Sequence, residues 1–492
     1  MDGRWGERGS LLAAAVAVLA AVSLVVPAAG QLPLSPWGQR TTDQVDVVGH
    51  SPLDRRGMNS ALAVGEDHAY VGYRADGTHA QAGVLVVDVS DPSQPEVVDR
   101  IAEPHHAQPG ESSRELRLWP DAGVLIVLDI PCDPAAHACY NAEDAQPDAE
   151  YELYDVSGAH AEDPEHLATY DPRDTPHEFH LWIDPSRPSQ RALLFQSTPH
   201  GDHGELLVAE LSPTADGLTV EEGPSWDGGL PGSLHSLSVH PDGTRAYLAH
   251  SEGGMAVLDT SALAADADEP QMQLVTSPED SARWGSPGAH SAVKVPDRPY
   301  VWTTDETYGW YAGLGNTPVV GFSDVITGCP WSWARAIDLT DPAHPQVRSE
   351  FKIEENTDSF CRTPEGQVAS NTTSYSSHNP TVTPNLALHT WYAGGVVVAD
   401  ISDPGAPEQV AQFRPEPLPA VAVEDPALTQ GPVKVGMWSY PVVQDGLVYV
   451  VDIRNGLYVL DYEGPHEDEV EGLSFYESNS NRGDAAALYG SS

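Results

Sequence analysis

The chain has 492 residues, with 73 acidic side chains against 24 basic ones, only three of them lysines, and a formal net charge of −49. Such a surface repels nucleic acid and anionic lipid and excludes both as partners; without an EF-hand loop, the acidity reads as a solvated shell suited to a salty or extracellular medium. Gly and Pro number 43 each, which suits strands and turns, and no helical periodicity of useful length follows the N-terminal segment.

Arg4 and Arg8, an apolar run from Leu11 to Val26 and then Pro27-Ala28-Ala29-Gly30 have the layout of a cleavable secretory signal over residues 1–30. The run of about 16 residues is shorter than a membrane span requires, so retention as an anchor is the minor alternative. The expectation is a secreted, extracytoplasmic protein that begins near Gln31 and has no membrane span after cleavage. Residues 31–43 read as a linker.

From residue 44 to 463 one pattern recurs. An apolar run closes on an acidic residue and breaks into a polar turn at Val84–Asp88, Tyr151–Asp155, Leu206–Glu210, Met255–Asp259, Ala334–Asp338, Val396–Asp400 and Leu457–Asp461. The acidic markers are 67, 55, 49, 79, 62 and 61 residues apart, enough in each unit for four short strands and their loops. In the clearest copies, GVLVVDVSDPSQPEVV (83–98), RAIDLTDPAHPQV (335–347) and GVVVADISDPGAPEQV (395–410), β-branched residues build a strand and Asp-Pro forces a turn. The marker aspartates Asp88, Asp338 and Asp400 read as turn formers. These segments resemble the LVIVD repeat of β-propeller proteins over roughly residues 45–475. The resemblance implies an all-β fold, a seven-bladed β-propeller. Gln44–Val48 resembles the strand after each Asp-Pro turn and is expected to complete the last blade, removing a free edge. Residues 132–150, 305–330 and 354–376 read as loops, and the acidic then Ser/Asn-rich stretch 464–492 as a largely disordered tail.

Four cysteines in an exported chain read as two disulfides, with Cys132 to Cys139 and Cys329 to Cys361 the local pairings among three connectivities. A metal knuckle around His137 competes with the first.

A second regularity appears when the units are aligned on the turn after their first strand. His177, His235, His290 and His378 each stand seven residues before Asp184, Asp242, Asp297 and Asn385. Asn59, Arg114 and Trp438 fill the same slot in the first, second and seventh units. First strands of a propeller line its channel and run the same way, so these four imidazoles are expected at one mouth, a donor set for a transition metal ion of the Cu or Zn class. His105, His106, Arg114 and Glu178 are candidates for the outer shell, while His180 is expected to face away. Asp174, Trp226, Trp284, Tyr375 and Met437 lie in connections leading to that mouth, where Trp and Tyr could wall a small pocket. The structural alternative is a ring of histidines that hydrogen-bonds between blades.

No nucleophile elbow, phosphate loop, dinucleotide fingerprint or HExxH helix is present, so no cofactor other than a metal is expected. One reading is an exported metalloprotein that binds a small molecule and, if catalytic, acts as a metal-dependent oxidoreductase or hydrolase. Its multi-histidine channel is similar in architecture to selenium-binding and methanethiol oxidase propellers, though it lacks a matching cysteine motif. The alternative is a non-catalytic extracellular recognition scaffold for a protein or cell-wall polymer.

Overall fold

In the computed structural model, each of the seven apolar runs that end on an acidic residue belongs to the third strand of a four-stranded antiparallel blade. The structure describes residues 40–74, 82–102, 112–130, 149–199, 201–202, 204–215, 217–284, 288–306, 329–369, 375–424 and 436–490. The predicted signal, most of the linker, His105, His106 and the Cys132 and Cys139 pair lie outside them.

Blade 1 comprises Asn59–Val64, His68–Tyr73, Val84–Asp88 and Glu96–Ile101, counted from the channel outward. The same up-and-down order repeats through six further sheets to Val442–Gln444, Leu447–Asp452 and Gly456–Tyr462 in blade 7. The outermost strand of blade 7 is Val45–Ser51, which pairs antiparallel with Gly456–Tyr462 from Val45 opposite Tyr462 to Ser51 opposite Leu457. The predicted closure by an N-terminal strand is therefore present, and strands from both ends of the ring share one sheet. Gly456 sits at that seam with φ +97°, and a Cβ there would meet Ser51 O at 2.2 Å, which reserves the position for glycine.

Why these strands assemble follows from their two apolar faces. Leu62, Val64, Val71, Leu85 and Val87 of blade 1 pack against Val442, Tyr449, Val451 and Val459 of blade 7, and similar layers fill the gap between blades 2 and 3 and between blades 3 and 4. Each fully buried Leu, Val or Ile contributes about 1.5–3 kcal/mol relative to exposure. The marker aspartates cap the turn that follows: Asp88, Asp155, Asp259, Asp338 and Asp400 each accept from the backbone N–H two residues on, at 2.8–2.9 Å.

Two expectations need correction. Residues 354–376 are not plain loop, for they hold short helices at Asp358–Cys361 and Pro364–Ala369, and Cys329 is disulfide-bonded to Cys361 beside them. Residues 464–490 are not a disordered tail. After the helical turn Asp468–Glu471, Phe475–Tyr476 add to the inner edge of blade 7, and the chain then crosses the end of the channel. Tyr476 donates to Val382 O at 2.8 Å, Ile183 N to Asn481 Oδ1 at 2.7 Å, Arg482 to Val64 O at 2.5 Å and Tyr489 to Lys294 O at 2.7 Å. Asn481 also donates to Pro241 O at 3.2 Å, and Asn479, with its amide oxygen turned to the guanidinium, accepts from Arg117 Nε at 2.9 Å. The segment thus touches every blade. Its composition signals disorder because it is polar, but those polar groups satisfy backbone N–H and C=O groups that the inner strands leave unpaired inside the channel.

Candidate metal centre

The inner strands of blades 3 to 6 begin at the mouth opposite the C-terminal segment, and hydroxyl groups tie them to one another there. Ser197 Oγ donates to His235 O at 2.8 Å, Ser291 Oγ to Asn379 Oδ1 at 2.7 Å and Thr390 Oγ1 to Trp438 O at 3.0 Å. Short polar side chains thereby fix the blade-to-blade spacing just where the histidines start.

His177, His235, His290 and His378 are all buried. Their rings follow one another from blade to blade, with centroids 4.4 Å apart for His177 and His235, 4.2 Å for His235 and His290 and 4.0 Å for His290 and His378. They form an arc rather than meeting at one point. Two carboxylates complete it, the buried Glu178 and the partly buried Glu306. Glu306 follows the second strand of blade 5, Tyr300–Asp305, and its Oε2 stands 3.5 Å from His235 Nε2 and 3.6 Å from His290 Nε2, while Oε1 stands 3.2 Å from His378 Nε2. Glu178 Oε1 is 3.7 Å from His290 Nε2.

Hydrogen bonds on the far side of two rings set their tautomers. His378 Nδ1 is 2.6 Å from Trp438 O, an acceptor only, so Nδ1 carries a proton and Nε2 faces Glu306. His290 Nδ1 is 2.7 Å from Ser291 Oγ, whose own hydrogen goes to Asn379, so Nδ1 of His290 donates and its Nε2 faces the carboxylates in the same way. His235 Nδ1 is buried without a hydrogen-bond partner among the described residues. Carboxylate oxygens facing Nε2 atoms at these distances call for positive charge between them, either a second ring proton or a bound metal ion, and rings oriented by a carbonyl or hydroxyl are the usual setting of metal-bound histidine.

The two carboxylates are held differently. Burial, with the charge of Glu115 added, pushes Glu178 up to about 7 against the pull of His235, Ser236 and Arg117. Burial acts on Glu306 too, but the imidazoles of His290, His378 and His235 outweigh it and keep the group well below the ordinary carboxylate range. Donor atoms within 4.8 Å of one another form three groups: His177, Glu178 and His235; Glu178, His290 and His378; and His235, His290 and Glu306. Imidazole nitrogen and carboxylate oxygen in such numbers suit Zn, Cu, Ni or Fe.

All four sequence-predicted histidines are thus brought together, and Glu178, expected outside the ligand shell, stands among the donors. The side chain of Arg114, like His105 and His106, lies outside the described residues. His180 is buried, and burial together with the positive charge of Arg117 lowers it to about 3, so it packs as a neutral ring. The expected aromatic wall is elsewhere. Trp226 belongs to the core between blades 3 and 4, Tyr375 packs with Trp331 and Phe360, Met437 packs in the blade 6 and 7 layer, and Trp284 donates to Asp305 at 2.8 Å. Asp174 accepts from Asp202 N at 3.1 Å. In their place Tyr392 lies edge-on to His378 at 5.1 Å and donates to Glu306 Oε1, with Trp438 at 5.9 Å beyond it. Sequence reasoning missed Glu306 and Tyr392 because both end second strands or their hairpins, whereas the aligned column followed first strands. The available signal was antiparallel pairing: Ala289 opposes Asp305, so the residue after Asp305 continues past the start of the inner strand, toward the mouth where the histidines stand.

Among solved structures, the chain is similar to Sqt1 from Chaetomium thermophilum at 14% identity, with a TM-score of 0.44 over 85% of this chain and 86% of that one. Similarity to the Chaetomium thermophilum Sqt1 bound to the N-terminus of ribosomal protein L10 is also at 14% identity, with a TM-score of 0.45 over 85% and 90%. A hypothetical selenium-binding protein from Sulfolobus tokodaii shares 10% identity, with a TM-score of 0.41 over 61% and 68%. Likeness at this level carries no argument about ligand or partner. No curated protein matches the chain. Residues 56–102, spanning all of blade 1, match the LVIVD repeat, and the chain is a seven-bladed β-propeller that carries this repeat.

Proposed function

We propose that this chain is an exported metalloprotein that binds a transition metal of the Cu or Zn class at one mouth of its channel, and through that metal a small molecule. The observation that carries the reading is the orientation of His290 and His378, whose Nδ1 atoms are taken by Ser291 and Trp438 while their Nε2 atoms face carboxylates. A bound metal would polarise a small ligand or lower the pKa of a bound water, and Tyr392 beside Glu306 and His378 offers a hydroxyl at the same place. The N-terminal signal layout supports export.

The test is elemental analysis of protein purified without a histidine tag. Wild-type protein should retain a transition metal after gel filtration, and the His235→Ala/His290→Ala variant, with an unchanged far-ultraviolet circular dichroism spectrum, should not. Equal metal in both would leave the recognition scaffold as the better reading.

A further inference from the structure

The six donors are too many and too spread for one ion. Metal bonds to nitrogen and oxygen are about 2.0–2.2 Å long, so two donors of one ion lie at most roughly 4.2 Å apart. Among the described residues, no four of the six meet even a 4.8 Å limit together; they fall into overlapping sets of three. The way the sets overlap is informative. Glu178 belongs both to the group with His177 and His235 and to the group with His290 and His378. Glu306 turns one oxygen to His378 and the other to His235 and His290.

Building on the metal-binding reading above, we infer that the arc holds two transition metal ions side by side, one on His177 and His235 and the other on His290 and His378, bridged by the carboxylates of Glu178 and Glu306. Each ion then has two imidazole nitrogens and two carboxylate oxygens from the protein, a full tetrahedral set or an open five-coordinate one. Neighbouring ring centroids 4.0–4.4 Å apart put each pair of imidazoles within reach of a shared ion. Two dications also offset the two carboxylates, of which Glu306 has no lysine or arginine paired to it among the described residues. The ligand class that follows is a small oxygen-donor molecule able to span both ions.

The experiment titrates cobalt(II) into the metal-free full chain and counts ions retained after gel filtration. The His235→Ala/His290→Ala variant, which removes one ring from each half, gives the background from the acidic surface. The expected result is two ions per chain above that background, with an electron paramagnetic resonance signal attenuated by coupling, and one ion in His177→Ala. One ion in the wild type, unchanged in His177→Ala, overturns the pair and leaves the single-metal reading intact. No ion above background overturns both.

Discussion

Glu306 and His378 come from consecutive blades, the first from the end of a second strand and the second from the start of a first strand, and their Oε1 and Nε2 atoms meet at 3.2 Å. Because His378 gives its Nδ1 proton to Trp438 O, this contact calls for positive charge at Nε2, either a second ring proton or a bound metal ion. Glu306→Gln keeps the shape and removes the charge. It should weaken metal affinity at least about tenfold, by isothermal titration, with little change in fold; unchanged affinity would place the ion elsewhere.

Glu178 makes the metal-free protein pH-sensitive. Its folded pKa is raised to about 7 by burial and Glu115, above the value of about 4.3 for a free glutamate, so the folded state holds the proton more tightly. The stabilisation is present below the unfolded value and lost as pH rises through about 7. In chelator, Glu178→Gln should therefore gain stability relative to wild type between pH 5 and pH 8, read from urea midpoints. A parallel pH dependence for the two proteins would contradict this.

The ring seam depends on Gly456. Valine there faces Ser51 O and a left-handed φ that β-branched residues avoid, so Gly456→Val should cost about 3 kcal/mol or more by denaturant unfolding. The same change at Gly158, where a Cβ meets nothing within 4 Å, should cost clearly less, since only its φ of +55° is strained. Equal losses would argue against the seam as the site of closure.

The C-terminal segment should behave as part of the fold. Tyr476 is buried and hydrogen-bonded to Val382 O, and Tyr476→Ala is expected to destabilise the protein by about 3–5 kcal/mol. Limited proteolysis should leave residues 464–490 attached to the ring. Rapid loss of the segment with no change in melting temperature would show that it does not plug the channel.

The blades were legible because their signal is local and repeated. Val84–Asp88 and Val396–Asp400 announce a strand, an aspartate cap and a turn within a dozen residues, and Val45–Ser51 is recognisable as the piece missing from the last unit. The histidine column was legible for the same reason, since equal distance from a turn becomes equal height in the channel. Glu306 was hidden because its place depends on pairing between Ala289 and Asp305 and on contacts to histidines of its own blade and of the two neighbouring ones. The C-terminal segment misled because Ser478, Asn479 and Asn481 are polar in sequence yet bond inside the channel.

The most direct measurement is anomalous scattering from crystals of the full chain grown with zinc or cobalt, collected on both sides of the metal absorption edge. The account predicts anomalous density within about 2.0–2.2 Å of imidazole nitrogens of His177 and His235 and of His290 and His378, with Glu178 and Glu306 reaching both peaks. Density confined to surface carboxylates, with the imidazoles still facing Glu306 across an empty arc, would contradict it.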